Sequence, residues 1–132
     1  MLRTTLLAVA ALGLTAAGCA SARPDVTAEA GVPFRLGLDE TAAVDGHTIR
    51  LVEVADGRCP TGAECVWAGE ARLQLEVDGQ PAELVLPNGA VNPVPAVVGG
   101  VEVAVQALHP YPTVEGSDQL TEAVLIAAPA AD

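Results

Sequence analysis

One stretch constrains this chain more than any other: Arg58-Cys59-Pro60-Thr61-Gly62-Ala63-Glu64-Cys65-Val66-Trp67-Ala68-Gly69-Glu70-Ala71. It holds two of the three cysteines and the only tryptophan. Cys59 and Cys65 stand six positions apart, and in an exported protein such a pair is by default a disulfide. Pro60 and Gly62 suit the tight backbone that so small a ring demands. The spacing therefore predicts a bridged loop that feeds a β-strand, with Trp67 packed beneath the bridge. Closing a ring of this size contributes roughly 2 to 2.5 kcal/mol. The rival is a four-ligand metal site built from both thiolates with His47 and His109. The wide cysteine spacing and an oxidising compartment both disfavour it, so the expectation is no metal and no cofactor. A redox pair of the Cys-x-x-Cys type is excluded by spacing.

Export is legible at the N-terminus. Arg3 supplies a positive start, Leu6 to Leu14 a short apolar run, and Ala16-Ala17-Gly18 the small residues before Cys19. This layout resembles a bacterial lipoprotein signal, cleaved before a cysteine that then becomes acylated. The resemblance makes residues 1–18 the signal peptide and Cys19 the lipidation site, although Ala16 stands where that family usually has leucine. An ordinary secretory signal, with Cys19 left as an odd thiol or removed, is the alternative. A membrane span is not, because the apolar run is about half of the roughly 20 residues a helix needs to cross. The expected location is the cell envelope, lipid-anchored to a bacterial membrane and facing the periplasm or the exterior. Residues 19–31 read as the lipidated cysteine and a tether, since Ala20 to Gly31 is rich in Ala, Pro and polar residues without apolar period. Fully extended, that tether would hold the domain up to roughly 40 Å from the bilayer.

Charge narrows the choice of partners. Acidic residues outnumber basic ones 17 to 6, for a net charge of −11. All the basic residues are arginine, and six against so large an acidic excess cannot assemble the basic face that phosphate binding needs, which argues against a nucleic-acid partner. The missing lysine excludes Schiff-base chemistry and a P-loop. Hydrophobic content is 51% with only 2% aromatic, a core of Ala, Val and Leu that suits strands. At 132 residues the chain has room for one domain, placed at 32–132.

From Val32 onward the pattern has period two, broken by turn signals every eight to twelve residues. That predicts an all-β fold, an antiparallel β-sandwich or partly open barrel of about seven to eight short strands. Phe34, Leu36 and Leu38 alternate in a first strand. His47 to Val54 follows the Asp45-Gly46 turn, and its alternation slips between Leu51 and Val54, which predicts a bulge near Val52 or Glu53. Ala71, Leu73, Leu75 and Val77 mark the cleanest strand. Asp78-Gly79 then makes a tight hairpin turn into Ala82, Leu84 and Leu86. Pro81 places that partner at an edge. Val94 to Val98 is short, Gly99-Gly100 turns into Val101, Val103 and Val105, and Glu122 to Ala128 is apolar on both faces, as a central strand would be.

The run Arg58-Cys59-Pro60-x-Gly62-x-x-Cys65-x-Trp67-Ala68-Gly69-x-Ala71 resembles the signature of small bacterial lipoproteins and secreted domains of unknown function. There, a segment similar to Asp-Ser-Arg-Cys-Pro precedes Cys-x-Trp-Ala-Gly, and Gly57 here takes the place of the usual serine. The likeness covers about fifteen residues. Beyond them it is loose, down to a late proline-rich segment, Leu108-His109-Pro110-Tyr111-Pro112. It implies an envelope β-domain and brings no catalytic residues.

Candidate binding residues are Arg58, Glu64 and Trp67, which could line a small cleft, with His109 and Tyr111 between prolines. Asp45, Asp56 and Asp78 read as turn formers without Ca²⁺-loop spacing. Ser117 has no nucleophile-elbow context. The sequence thus points to a non-catalytic envelope lipoprotein that binds a protein, glycan or small ligand, with a protease inhibitor and a metal-binding protein as alternatives.

Overall fold

The computed structural model describes residues 24–88 and 92–132; the expected signal peptide and Cys19 lie outside the described residues. Nine strands form, β1 (Val26–Ala28), β2 (Phe34–Gly37), β3 (Thr41–Val44), β4 (His47–Asp56), β5 (Glu70–Val77), β6 (Gln80–Pro87), β7 (Ala96–Val98), β8 (Val101–His109) and β9 (Glu122–Pro129). They make a five-stranded sheet ordered β1-β3-β4-β5-β6 and a four-stranded sheet ordered β2-β9-β8-β7. All pairings are antiparallel except β1 with β3. The fold is an all-β, two-sheet arrangement and not a closed barrel.

Alternation explains why these segments pair. In β5, Ala71, Leu73, Leu75 and Val77 are all buried, while Arg72 faces out. They join Leu36, Ile49, Leu51, Leu84, Val103, Val105 and Leu125 in one aliphatic core drawn from both sheets. Period two puts every second side chain on the same face, so a chain with one phenylalanine and no other buried aromatic still closes its interior with Leu, Val and Ala.

Turn chemistry sets the register. Asp45 and Gly46 both take positive φ, +49° and +82°, and Asp78 and Gly79 take +49° and +79°. These pairs make the two-residue turns whose twist matches that of the strands they join. The expected bulge lies between Leu51 and Glu53. A second irregularity falls between Val105 and Ala107, which lets Leu108 return to the core. β9 is central, between β2 and β8, and β6 is an edge strand bounded by Pro81 and Pro87.

The structure departs from the sequence expectations at three places. Leu38 lies beyond β2 and is 48% exposed, because Asp39 turns the chain with φ of +64°. Thr41–Val44, unassigned in the sequence, is the first arm of the Asp45-Gly46 hairpin. Val26–Ala28, placed in the tether, is β1 on the edge of the larger sheet. These two short strands carry the count past the seven or eight expected.

Chain direction defines two ends. β4 and β6 run up to the loops at 57–69 and 88, and β8 runs up to His109, so these loops share one end, the top. The Asp45-Gly46, Asp78-Gly79 and Gly99-Gly100 turns lie at the bottom. β1 runs parallel to β3, away from the top, so the residues before it approach from the top side.

Candidate functional site

The cysteine loop grows out of the top of β4. Asp56 ends that strand and Arg58 follows two residues later, a spacing that in extended chain points both side chains the same way. Arg58 grips Asp56 with both arms, Nε to Oδ1 at 2.8 Å and Nη2 to Oδ2 at 2.7 Å. Its Nη2 also donates to the Leu108 and Pro110 carbonyls at 3.2 and 3.4 Å. Arg58 is only 7% exposed, the one charged residue buried in the described structure. Burial of a cation is tolerated here because a carboxylate and two backbone carbonyls accept from its Nε and Nη2.

Tyr111 locks this arrangement from above. The Arg58 guanidinium stacks on its ring, and its hydroxyl donates to the Cys59 carbonyl at 2.8 Å. Asn88 completes the clamp, donating from Nδ2 to the Tyr111 hydroxyl at 2.8 Å and to the Ala68 carbonyl at 2.9 Å. The backbone adds further ties: Cys59 N–H to Ala68, Thr61 N–H to Pro112 and Val114 N–H to Thr61. Cys59 and Cys65 are disulfide-bonded with 6.0 Å between their Cα atoms. The loop is thus anchored by a covalent bridge and a buried polar network at once.

Trp67 is not beneath the bridge. It is 75% exposed, and its neighbour Val66 is fully exposed. Two features exclude it from the interior. The Arg58 and Tyr111 side chains occupy the space under the loop. Gly69, at φ +78°, also passes so close to residue 57 that a Cβ there would overlap the Gly57 carbonyl oxygen. With no room for an inward side chain, the tryptophan projects outward beside Val66.

The five candidate binding residues therefore separate into two groups. Arg58, His109 and Tyr111, with Asn88 and Gln106, line a cavity of about 250 Å³. A larger groove of about 480 Å³, bordered by Arg35, Glu40, His109, Tyr111 and Glu122, opens on the other side of His109. Glu64 and Trp67 border neither, so the cleft expected between Arg58, Glu64 and Trp67 does not form. The groove's charges satisfy one another, as Arg35 Nη1 bonds Glu122 at 2.6 Å and Glu40 accepts from the Gly37 N–H at 2.7 Å. Sequence reasoning missed Asp56 and Asn88. Asp56 had a signal in its Asp-x-Arg spacing, whereas Asn88 is placed only by the tertiary fold.

The metal alternative loses its ligands. Both thiols are spent in the bridge, and no group of three or more His, Cys, Asp or Glu positioned to hold an ion occurs among the described residues. His47 starts β4 at the bottom, roughly 30 Å from the loop at about 3.3 Å per residue. Its Nδ1 lies 2.7 Å from Asp78 Oδ2. That contact, with the Thr48 N–H on the other oxygen, holds Asp78 below the ordinary aspartate range.

No protein-family model, curated protein or solved structure matches the chain.

Proposed function

We propose that this chain is a non-catalytic envelope lipoprotein, anchored through Cys19, whose β-domain makes contact with an envelope component through its top end. One observation carries the reading: Val66 and Trp67 stand exposed on a loop that a disulfide, a buried arginine and a tyrosine clamp hold rigid. A large apolar pair exposed on a fixed loop has little ordering left to lose on binding. Tryptophan is also among the residues that most often anchor interfaces. The histidines support a role without catalysis, since His47 is committed to Asp78 and His109 is exposed at the end of β8.

Acylation is tested by detergent-phase partition and intact mass of the envelope protein beside its Cys19→Ala variant. The wild type is expected to enter the detergent phase with the added mass of its acyl chains, and the variant to stay aqueous. Equal partition of the two refutes the anchor. Turnover of a hydrolytic substrate that a single His109 or Ser117 substitution abolishes refutes the non-catalytic reading.

The same clamped loop favours a second reading, a protease inhibitor that presents residues 59–65. Nanomolar inhibition of a protease panel, lost on reduction, would establish it, and no inhibition at micromolar concentration would end it.

A further inference from the structure

We infer that the top of the sandwich rests on the bilayer that holds the acylated Cys19, with Val66 and Trp67 inserted at the level of the lipid headgroups. This rests on the lipoprotein reading above and adds a second membrane contact to it, made by the fold itself.

The first support is the length of the connection. The tether expected to end at Gly31 is shortened by β1, and the chain is already fixed at Asp25, whose N–H donates to the Thr41 carbonyl at 2.8 Å and whose carboxylate accepts from the Thr41 N–H at 2.9 Å. Asp25 lies six positions after Cys19, a reach of at most roughly 20 Å. Thr41 pairs with Arg50, so Asp25 sits low on the larger sheet. From Arg50 to Asp56, with one bulged residue, β4 climbs roughly 17 Å, and the loop rises further above it. Because β1 points its N-terminal side toward the top, a connection of that length lets the acylated cysteine come to about the height of the loop at most. A connection so short keeps Asp25 within roughly 20 Å of the membrane.

The second support is independent of the tether. Five of the exposed large apolar residues lie at the top, Val66, Trp67 and Val114 on and beside the bridged loop, and Leu38 and Leu120, 48% and 91% exposed, across a shared cleft, while Val32, Val94 and Val97 lie elsewhere. The bottom turns carry Asp45-Gly46, Asp78-Gly79 and Gly99-Gly100. Tryptophan favours the boundary between headgroups and acyl chains, where its ring is buried and its N–H stays hydrated.

Charge selects the lipid. Glu64 and Glu115 flank the tip and are exposed, and the arginines among the described residues are all paired with carboxylates. Among the described residues, an acidic rim whose arginines are already paired favours zwitterionic headgroups over anionic ones.

Trp67 is the only tryptophan in the chain, so its native fluorescence reports the contact. The full acylated protein is reconstituted into phosphatidylcholine vesicles that contain lipids brominated near the headgroup end of the acyl chains. The expected result is a blue-shifted emission at least twofold quenched relative to vesicles without bromine. Quenching is expected to be weaker in vesicles rich in phosphatidylglycerol and weaker again in Val66→Asp, a change at a fully exposed position that spares the fold. An acylated protein whose tryptophan emits as in water and is not quenched overturns the proposal while leaving the anchor intact. Quenching unchanged by Val66→Asp overturns it equally. A protein whose mass shows no acyl chain overturns the anchor and this inference together.

Discussion

The Arg58 guanidinium lies 4.7 Å from the centre of the Tyr111 ring, while the Tyr111 hydroxyl bonds the carbonyl of Cys59, the residue next to Arg58. One aromatic side chain from the β8–β9 connection therefore fixes both the charge under the loop and the backbone above it. The loop is joined to the smaller sheet through this contact, so its stability and that of the domain are coupled.

Replacing Arg58 should be among the costliest single changes. Arg58→Met leaves the Asp56 carboxylate and the Leu108 and Pro110 carbonyls without their donor. Because Asp56 keeps some access to water, with 23% of its side chain exposed, the expected loss is about 3 kcal/mol, the low end for breaking a buried pair. Arg58→Lys should recover less than half of it, since an ammonium cannot reproduce the planar two-armed grip or the stacking. Urea denaturation of the two variants measures both effects.

Gly69→Ala should destabilise the domain by more than about 3 kcal/mol. The left-handed backbone alone costs an alanine about 1 to 2 kcal/mol, and overlap with the Gly57 carbonyl adds to it. Gly46→Ala supplies the control. Gly46 has φ of +82° but open space around it, so its loss should stay near the backbone cost alone. Equal losses at the two positions would show that the close approach at Gly69 does not matter.

Removing the bridge should weaken the domain without unfolding it. The paired change Cys59→Ala with Cys65→Ala is expected to cost about 2 kcal/mol, the closure entropy of so short a ring. The Arg58 network and the backbone ties from Cys59, Thr61 and Val114 survive that change. A circular-dichroism spectrum that loses its strand signal would refute the expectation.

The Asp78 carboxylate should make the domain acid-sensitive in a defined direction. Its bonds from His47 and the Thr48 N–H lower its folded pKa beneath the ordinary value of 3.8. A group depressed in the folded state contributes stability that is complete above its unfolded pKa and is lost as pH falls through the folded one. The contribution should therefore vanish on acidification below about pH 4. Asp78→Asn, which keeps a residue suited to the positive φ of the turn, should flatten that part of the pH–stability profile. An unchanged profile would remove Asp78 from the account.

Much of the sheet was legible in the chain because local patterns determine it. The slip between Leu51 and Val54 located the bulge, and Asp78-Gly79 located a hairpin, since period two and positive φ act within a few residues. Val26–Ala28 and Thr41–Val44 escaped for a physical reason. They are three and four residues long, carry alanines with weak strand preference, and β1 is held by a parallel partner distant in sequence. The site was less legible still. A lone tryptophan beside two cysteines reads as core, yet its place is decided by how closely Gly57 and Gly69 approach and by which side chain fills the space below. Only the Asp56-x-Arg58 spacing hinted that an arginine would take it.

The prolines at either end of β6 have a consequence for molecules crowded together. Where many copies lie close together, exposed strand margins are where chance encounters anneal into fibres. Lacking two of its amide hydrogens, with Glu83 between them, this margin gives a neighbour little to pair with. The domain is thereby suited to high local concentration without polymerising.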